Sequence, residues 1–359
     1  MMQNKTRLSL RRVAAALLLI CLVCALPACQ KGSEQPLSAG LNMIQGEPVF
    51  DDAVAMQTAN FTLTPGMMAY FFYTYGNTVL SEIEKQVPLT PGVSLHEQRY
   101  SDTQSFYDVI MSETLSRVSY MLICCEAAHA EGVSLSATQQ EEIESSMQAY
   151  RMTAAVNYNM GLEAYLQALY GPLMSEADLQ ATLELETLAN SFSMTVSDRL
   201  EAAITTDEAR EYAEGNGLSD TTLSRNIAYL FIPYENGVTA EQKVQSAFSS
   251  LKAVPMASTM QTQGVGKYGE EENMTPANAG IAQINEWLFA DGRAVGDYAR
   301  LETAGATYLV LYTGDGASYA EVEARRALFD SSYAAWYNEW VEALTFGYNY
   351  DCLDSYDVN

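Results

Sequence analysis

The sequence predicts an α+β protein with a long helical region, a small module of mixed strands and helices, and a C-terminal helix. Apolar residues recur at helical spacing through residues 60–215, and short β-rich runs replace them from Arg225 onward. After Gly316 a final helix carries several aromatic residues. With 359 residues, 48% of them hydrophobic and 18% charged, the chain is long enough for two or three packed units.

Residues 1–28 have the composition of a secretory signal. Four basic residues and no acid precede Val13–Leu26, an apolar run too short for a comfortable membrane span. The run ends in Leu-Pro-Ala-Cys, which resembles a bacterial lipobox, and a polar spacer begins directly after Cys29. We therefore predict that Cys29 is lipidated and holds the protein on the outer face of the cell membrane. The alternatives are an ordinary cleaved signal or an uncleaved anchor, with Cys29 incidental.

The folded body is strongly acidic. The net charge of −26 becomes −30 when the four basic residues of the signal are removed. This negative charge repels nucleic acid and anionic lipid, so we expect no nucleic-acid partner. We expect the protein to attach to the membrane through its lipid anchor alone. Basic, unfolded polypeptides would be steered toward such a surface.

Helix start signals recur through the first half of the chain. Residues 29–59 are predicted to form a tether and a short strand, after which Thr64 is a candidate N-cap and Pro65 a first helical residue. Capping-box patterns follow at Ser136, Ser175 and Thr205. We predict five or six helices in residues 60–215, in a lobe that spans 60–219.

Residues 220–316 predict the mixed module. "NIAYLFIPY" is β-rich, "VTAEQKVQSAFSSL" has the pattern of a helix capped by Thr239, and 255–278 is predicted to be a loop. "IAQINEWLF" predicts a short helix, and "YARLE" and "TYLVLYT" predict two strands joined by a turn. Residues 317–359 are predicted to form a helix that returns to the helical lobe.

The remaining motifs do not predict a cofactor or metal site. "GVGKYG" matches GxGxxG but lacks the flanking strand and helix of a dinucleotide site, so we interpret it as a flexible loop. The three acids at 270–272 predict a solvated loop, since the spacing of calcium ligands is absent. Cys124 and Cys125 are predicted to be small core residues. We therefore expect no metal and no cofactor.

The layout resembles the PrsA/SurA group of extracytoplasmic foldases. The segments "TPGMMAYFFYTYGN", "GLEAYLQALYG" and "EWLFADGRAVGDYARLETAGATYLVLYTGD" carry the resemblance, in that order. It implies a helical chaperone lobe, a parvulin-type prolyl isomerase module over 220–316, and a C-terminal helix that packs on the lobe. It also implies unfolded or newly secreted polypeptides as partners.

The resemblance places the family's two catalytic His on the first and last strands of the module. This sequence has Tyr229 at the first position, or Asn226 in a register three residues earlier, and Tyr308 at the last. A tyrosine hydrogen-bonds as His does but does not titrate near neutrality. Phe231, Trp287 and Phe289 are the candidates for an apolar peptide-binding floor.

Three hypotheses follow. The first is a surface-anchored chaperone whose parvulin-like module binds peptides and has weak or absent isomerase activity. The second is a working prolyl isomerase that uses Tyr229 and Tyr308 with Phe289. The third is a solute-binding lipoprotein, which the lack of repeated strand–helix alternation disfavours.

Overall fold

The computed structural model describes residues 44, 46–83, 88–90, 92–234, 245, 248–249 and 267–357. It confirms the α+β class. Cys29, the tether and most of the helix predicted over 238–251 lie outside the described residues. The described residues form two compact units: a helical unit from residues 44–199 and 333–357, and a sheet unit from residues 200–332. The domain bounds predicted from the sequence stay a prediction.

The helix start signals are confirmed where the structure describes them. Thr64 accepts a hydrogen bond from the Met67 amide at 3.1 Å, and Ser136 and Thr205 form complete capping boxes. Among the described residues of 60–215 there are six helices: α1 (Pro65–Ile83), α2 (Phe106–Ala130), α3 (Ala137–Asn157), α4 (Leu162–Tyr170), α5 (Glu176–Ala203) and α6 (Thr206–Gly215).

The helical unit holds a small sheet that joins both ends of the described chain. Its strands are β1 (Gly46–Pro48), β2 (Met56–Gln57), β3 (Thr62–Leu63) and β8 (Phe346–Tyr348), in the order β1-β8-β2-β3. Strand β8 pairs parallel with β1 and antiparallel with β2. Beyond it, α9 (Tyr350–Asp354) is held by the Tyr107 hydroxyl, which donates to the Leu353 carbonyl at 2.7 Å. The C-terminal segment is therefore an integral part of this unit.

Helices α1 and α2 supply much of the core of the helical unit. Phe71, Phe72 and Tyr107 are fully buried, as expected for large apolar side chains on facing helices. Cys124 and Cys125 are buried free thiols, which confirms their interpretation as core residues. Burial raises the pKa of the Cys124 thiol to about 12, so the reactive thiolate is suppressed.

The sheet unit is built on four antiparallel strands in the order β5-β4-β7-β6. They are β4 (Leu223–Pro233), β5 (Lys267–Met274), β6 (Tyr298–Glu302) and β7 (Ala306–Ser318), with α7 (Ala282–Leu288) between β5 and β6. Helix α8 (Tyr319–Ala343) begins here, where Ala320 and Ala324 pack on Ala209 and Ala213 of α6. These four alanines allow close approach of the two helices.

The loop predicted over 255–278 is wrong in its second half. Lys267–Met274 is strand β5, which pairs with β4 from Phe231 to Arg225. The buried positions of β5 include Gly269 and Glu271, so the strand lacks the apolar alternation that predicts a half-buried strand. Among the described helices, none is long and apolar enough to cross a membrane.

Candidate functional site

The two tyrosines predicted from the sequence lie on one face of the central strand pair. Tyr229 is opposite Val310 and Phe231 is opposite Tyr308 in the β4–β7 register, and alternate residues of a strand share a face. The ring centroids of Tyr229 and Tyr308 are 6.0 Å apart, and those of Phe231 and Tyr308 are 5.3 Å apart. The structure therefore brings both tyrosines together with Phe231.

Helix α7 completes this aromatic face. Ile284 and Leu288, four residues apart, are fully buried against the cluster that contains Tyr229 and Tyr308. Trp287 and Phe289 lie at the end of the helix, are partly buried and pack against the same cluster. All five residues predicted for the site thus belong to one aromatic face, which we define as Tyr229, Phe231, Trp287, Phe289 and Tyr308.

Two arginines make cation–π contacts with Trp287 and Phe289 of the aromatic face and with neighbouring Tyr312. The Arg225 guanidinium lies 5.5 Å from the Phe289 ring centroid and 5.3 Å from that of Tyr312, and it donates to the Leu288 carbonyl. The Arg293 guanidinium lies 4.5 Å from the Trp287 centroid and donates through Nε to the Trp287 carbonyl at 3.0 Å. These cation–π contacts position the end of α7 against the sheet.

Tyr308 of this face and its neighbour Tyr312 stay neutral at physiological pH. Burial raises the pKa of Tyr308, and burial raises the pKa of neighbouring Tyr312 to about 12, with its hydrogen bond to Asp315 acting in the same direction. A phenol in that state can donate one hydrogen bond but cannot exchange a proton with a substrate near neutrality. The arrangement therefore offers apolar contact and hydrogen bonding rather than acid–base chemistry.

Glu271 lies on the same side of the sheet as the aromatic face, a position that the sequence did not predict. Glu271 is only 3% exposed. On β5 it lies two residues after Gly269; Gly269 is opposite Tyr229, and Glu271 is opposite Ile227. Its side chain therefore shares the face of Tyr229. The prediction of a solvated acidic loop at 270–272 is wrong for this residue, because the run of three acids conceals a strand in which the middle acid points inward.

Asn226, the alternative first-strand position, has a structural role. Its side-chain oxygen accepts a hydrogen bond from the Asn273 amide at 2.7 Å, and its amide nitrogen donates to the Asp315 carbonyl at 3.2 Å. These bonds join β4 to the ends of β5 and β7, where the ladder is irregular. Tyr229 therefore remains the residue at the centre of the face.

No family model matches this chain, and no curated protein matches it. Among solved structures, PrsA from Bacillus subtilis is 14% identical, with 67% of this chain and 83% of that chain covered and a TM-score of 0.29. The foldase protein PrsA from Streptococcus pneumoniae is 13% identical, with 66% and 88% covered and a TM-score of 0.30.

A SurA-like chaperone of Campylobacter jejuni is 10% identical, with 82% of this chain and 98% of that chain covered and a TM-score of 0.25. These neighbours are foldases and chaperones by description. At such identities and TM-scores, the similarity carries no argument about the site or the activity of this chain.

Proposed function

We propose that this protein is an extracytoplasmic chaperone of the foldase type that binds unfolded or proline-containing segments of secreted polypeptides. Its prolyl isomerase activity is weak or absent. The proposal is supported by the resemblance of three sequence segments to the PrsA/SurA group and by the division into a helical unit and a sheet unit. A lipid on Cys29 attaches the protein to the outer face of the cell membrane.

The observation that carries this proposal is the pair of buried tyrosines at the first- and last-strand positions. Tyr229 is 5% exposed and Tyr308 is 9% exposed. Binding an unfolded segment requires accessible apolar surface, which the partly exposed rings of Phe231, Trp287 and Phe289 supply. Acceleration requires groups that favour the twisted amide over the planar one. Two buried, packed phenols are poorly suited to that task.

The test compares holding activity with isomerase activity in the same preparation. Uncatalysed rotation about a proline bond takes roughly tens of seconds, so even a modest acceleration is measurable. We expect the protein to slow the aggregation of an unfolded client at stoichiometric ratios and to leave a proline-limited refolding phase almost unchanged. Aggregation that proceeds at the uninhibited rate would contradict the proposal.

A pair of variants tests whether the sheet unit binds the unfolded client. Phe231→Ala should weaken the suppression of aggregation, because its partly exposed ring borders Tyr308. Phe50→Ala is the matched control, since Phe50 is 85% exposed and lies in the other unit. Equal loss in both variants would place client binding elsewhere.

Prolyl isomerisation at the same face is the second candidate, and the buried carboxyl of Glu271 on the face of Tyr229 favours it. A buried acid on the same face of the sheet as two phenols supplies polar groups of the general kind that isomerisation requires. Substantial acceleration that is lost in Tyr229→Phe/Tyr308→Phe or in Glu271→Gln would establish this candidate in place of the first.

The anchor is tested separately. A palmitate analogue supplied to growing cells should label the protein, and Cys29→Ser should abolish the label. Cys352→Ser is the control, because Cys352 is a partly exposed free thiol in the folded body. Label that persists in Cys29→Ser would show that the signal is of another type.

A further inference from the structure

The helical unit contains a carboxyl group enclosed by tyrosines. Glu186, on α5, accepts a long hydrogen bond of 3.5 Å from the Tyr70 hydroxyl and a second hydrogen bond from Tyr75. The Tyr170 ring lies 5.1 Å from that of Tyr70, and Tyr150 hydrogen-bonds Tyr170. We call these five residues, contributed by α1, α3, α4 and α5, the tyrosine recess.

The recess is reachable from solvent. Tyr70, at 7% exposure, forms its base, whereas Tyr75, Tyr150, Tyr170 and Glu186 are partly exposed. A side chain that reaches Glu186 would therefore also contact the surrounding tyrosines.

Two arginines beside members of the recess are already paired with other acids. Arg117 lies 5.0 Å from the Tyr75 ring centroid, and its Nε is 2.6 Å from the Glu113 carboxylate. Arg151, next to Tyr150, pairs with Glu144 at 2.9 Å and with Glu176. Within the described part of the chain, no Lys or Arg forms an ion pair with Glu186. Above about pH 7 the recess therefore presents a carboxylate whose hydrogen-bond donors, in the described part of the chain, are the phenols of Tyr70 and Tyr75.

The chemistry of the recess matches an alkylammonium group. A carboxylate has about four acceptor positions, of which the two phenols use two, and an ammonium carries three donors. The faces of tyrosine rings attract cations, and aromatic enclosures are a common way to bind ammonium groups. The acidic chain, with its net charge of −26, steers cations toward it.

We propose that the tyrosine recess binds an alkylammonium group, supplied by a lysine side chain of a bound polypeptide. This inference rests on the proposed function for the source of the lysine, and it adds a chemical preference that apolar contact alone does not provide. The same chemistry would accept a free primary amine, so the experiment includes a small-amine arm.

The test uses two peptides of identical sequence in which one lysine is replaced by norleucine, titrated into the full mature chain. We expect the lysine peptide to bind about tenfold more tightly at about pH 8. Glu186→Gln should abolish this preference. Glu184→Gln is the control, because it removes the same charge from the same helix; Glu184 accepts a hydrogen bond from Gln180 at 2.9 Å. This variant should keep the preference for the lysine peptide.

A pH series provides a second readout. Burial raises the pKa of Glu186 to about 7, partly offset by the hydrogen bonds from Tyr70 and Tyr75. The carboxyl is charged above that pH and neutral below it, so the preference for lysine should fall as the solution is acidified through about pH 7. The titratable groups around Glu186 are Tyr70 and Tyr75 of α1, Tyr150 of α3 and Tyr170 of α4. Arg117 of α2 contacts the Tyr75 ring.

The outcomes separate this inference from the proposed function. Equal affinity for both peptides, or a preference that survives Glu186→Gln, overturns the inference, and the proposed function stands if client aggregation is still suppressed. Butylammonium that binds as tightly as the lysine peptide, and no longer binds to Glu186→Gln, supports the recess with a small amine as its source. If neither peptide binds and aggregation is not suppressed, both proposals fail.

Discussion

The ring of Tyr229 fills the space directly over the α-carbon of Gly269 on the neighbouring strand. A Cβ at position 269 would lie 2.3 Å from both Cζ and Oη of that tyrosine. Only glycine leaves room for the ring at this cross-strand position. The glycine in β5 and the aromatic residue in β4 are therefore one packing unit, although 40 residues separate them in the sequence.

Gly269→Ala should destabilise the sheet unit. Replacing glycine in a strand usually helps slightly, but here the added methyl group collides with a ring that is 5% exposed and packed in the core of the sheet unit. We expect the free energy of unfolding to fall by about 1–3 kcal/mol. Gly305→Ala is the control, because no atom lies within 4 Å of a Cβ there. Equal urea midpoints for the two variants would contradict the packing argument.

Glu126→Ala should destabilise the helical unit. The Glu126 carboxylate, 3% exposed, accepts hydrogen bonds from the backbone amide of Asn60 at 2.7 Å and from its side-chain nitrogen at 2.6 Å. Its removal leaves two donors without their acceptor, at a cost of about 1–3 kcal/mol in urea unfolding. Glu142→Ala, an exposed site on α3, should change stability by less than about 0.5 kcal/mol. A neutral result for Glu126→Ala would show that water replaces the carboxylate.

Glu186 should make the protein less stable as the pH rises toward neutrality. Burial raises the pKa of this carboxyl to about 7, whereas an unfolded glutamate titrates near about 4.3. Between these values the folded chain holds a proton that the unfolded chain has released, so stability falls with rising pH by at most about 1.4 kcal/mol per unit. Urea unfolding of wild type between about pH 5 and about pH 7 should show this slope.

Glu186→Gln should remove that component of the slope, because a glutamine does not titrate. Glu184→Gln, on the same helix, should keep the wild-type slope. Parallel pH profiles for wild type and Glu186→Gln would mean that this carboxyl titrates normally in the folded state.

Deletion of residues 345–359 should unfold the helical unit at a much lower temperature. Strand β8 lies between β1 and β2, and both Phe346 and Tyr348 are fully buried. Loss of two buried aromatic side chains corresponds to several kcal/mol, or about 10 °C or more in the melting midpoint. Deletion of 358–359 alone keeps every contact described above and is the control. Equal midpoints for the two truncations would show that the terminal strand is dispensable.

Part of the candidate site could be predicted from the sequence. Tyr229 and Phe231 share a face because alternation along a strand is a local property, and the helix with Trp287 is evident from its periodicity. The place of Tyr308 on that face depends on the register between β4 and β7. Glu271 and Arg225 could not be predicted as members, since their positions depend on the pairing of β5 with β4 and on the packing of α7. The interpretation of 270–272 failed for that reason.

The sequence by itself determined the α+β class, the caps at Thr64, Ser136 and Thr205, and the strands that carry the two tyrosines. Each of these depends on contacts between residues a few positions apart, which leave a periodic or capping pattern in the sequence. The tertiary structure alone decided the space that Gly269 leaves for Tyr229 and the enclosure of Glu186 by Tyr70, which is 116 residues away. Packing of distant segments sets which side chains lose contact with water, and no local pattern records that choice.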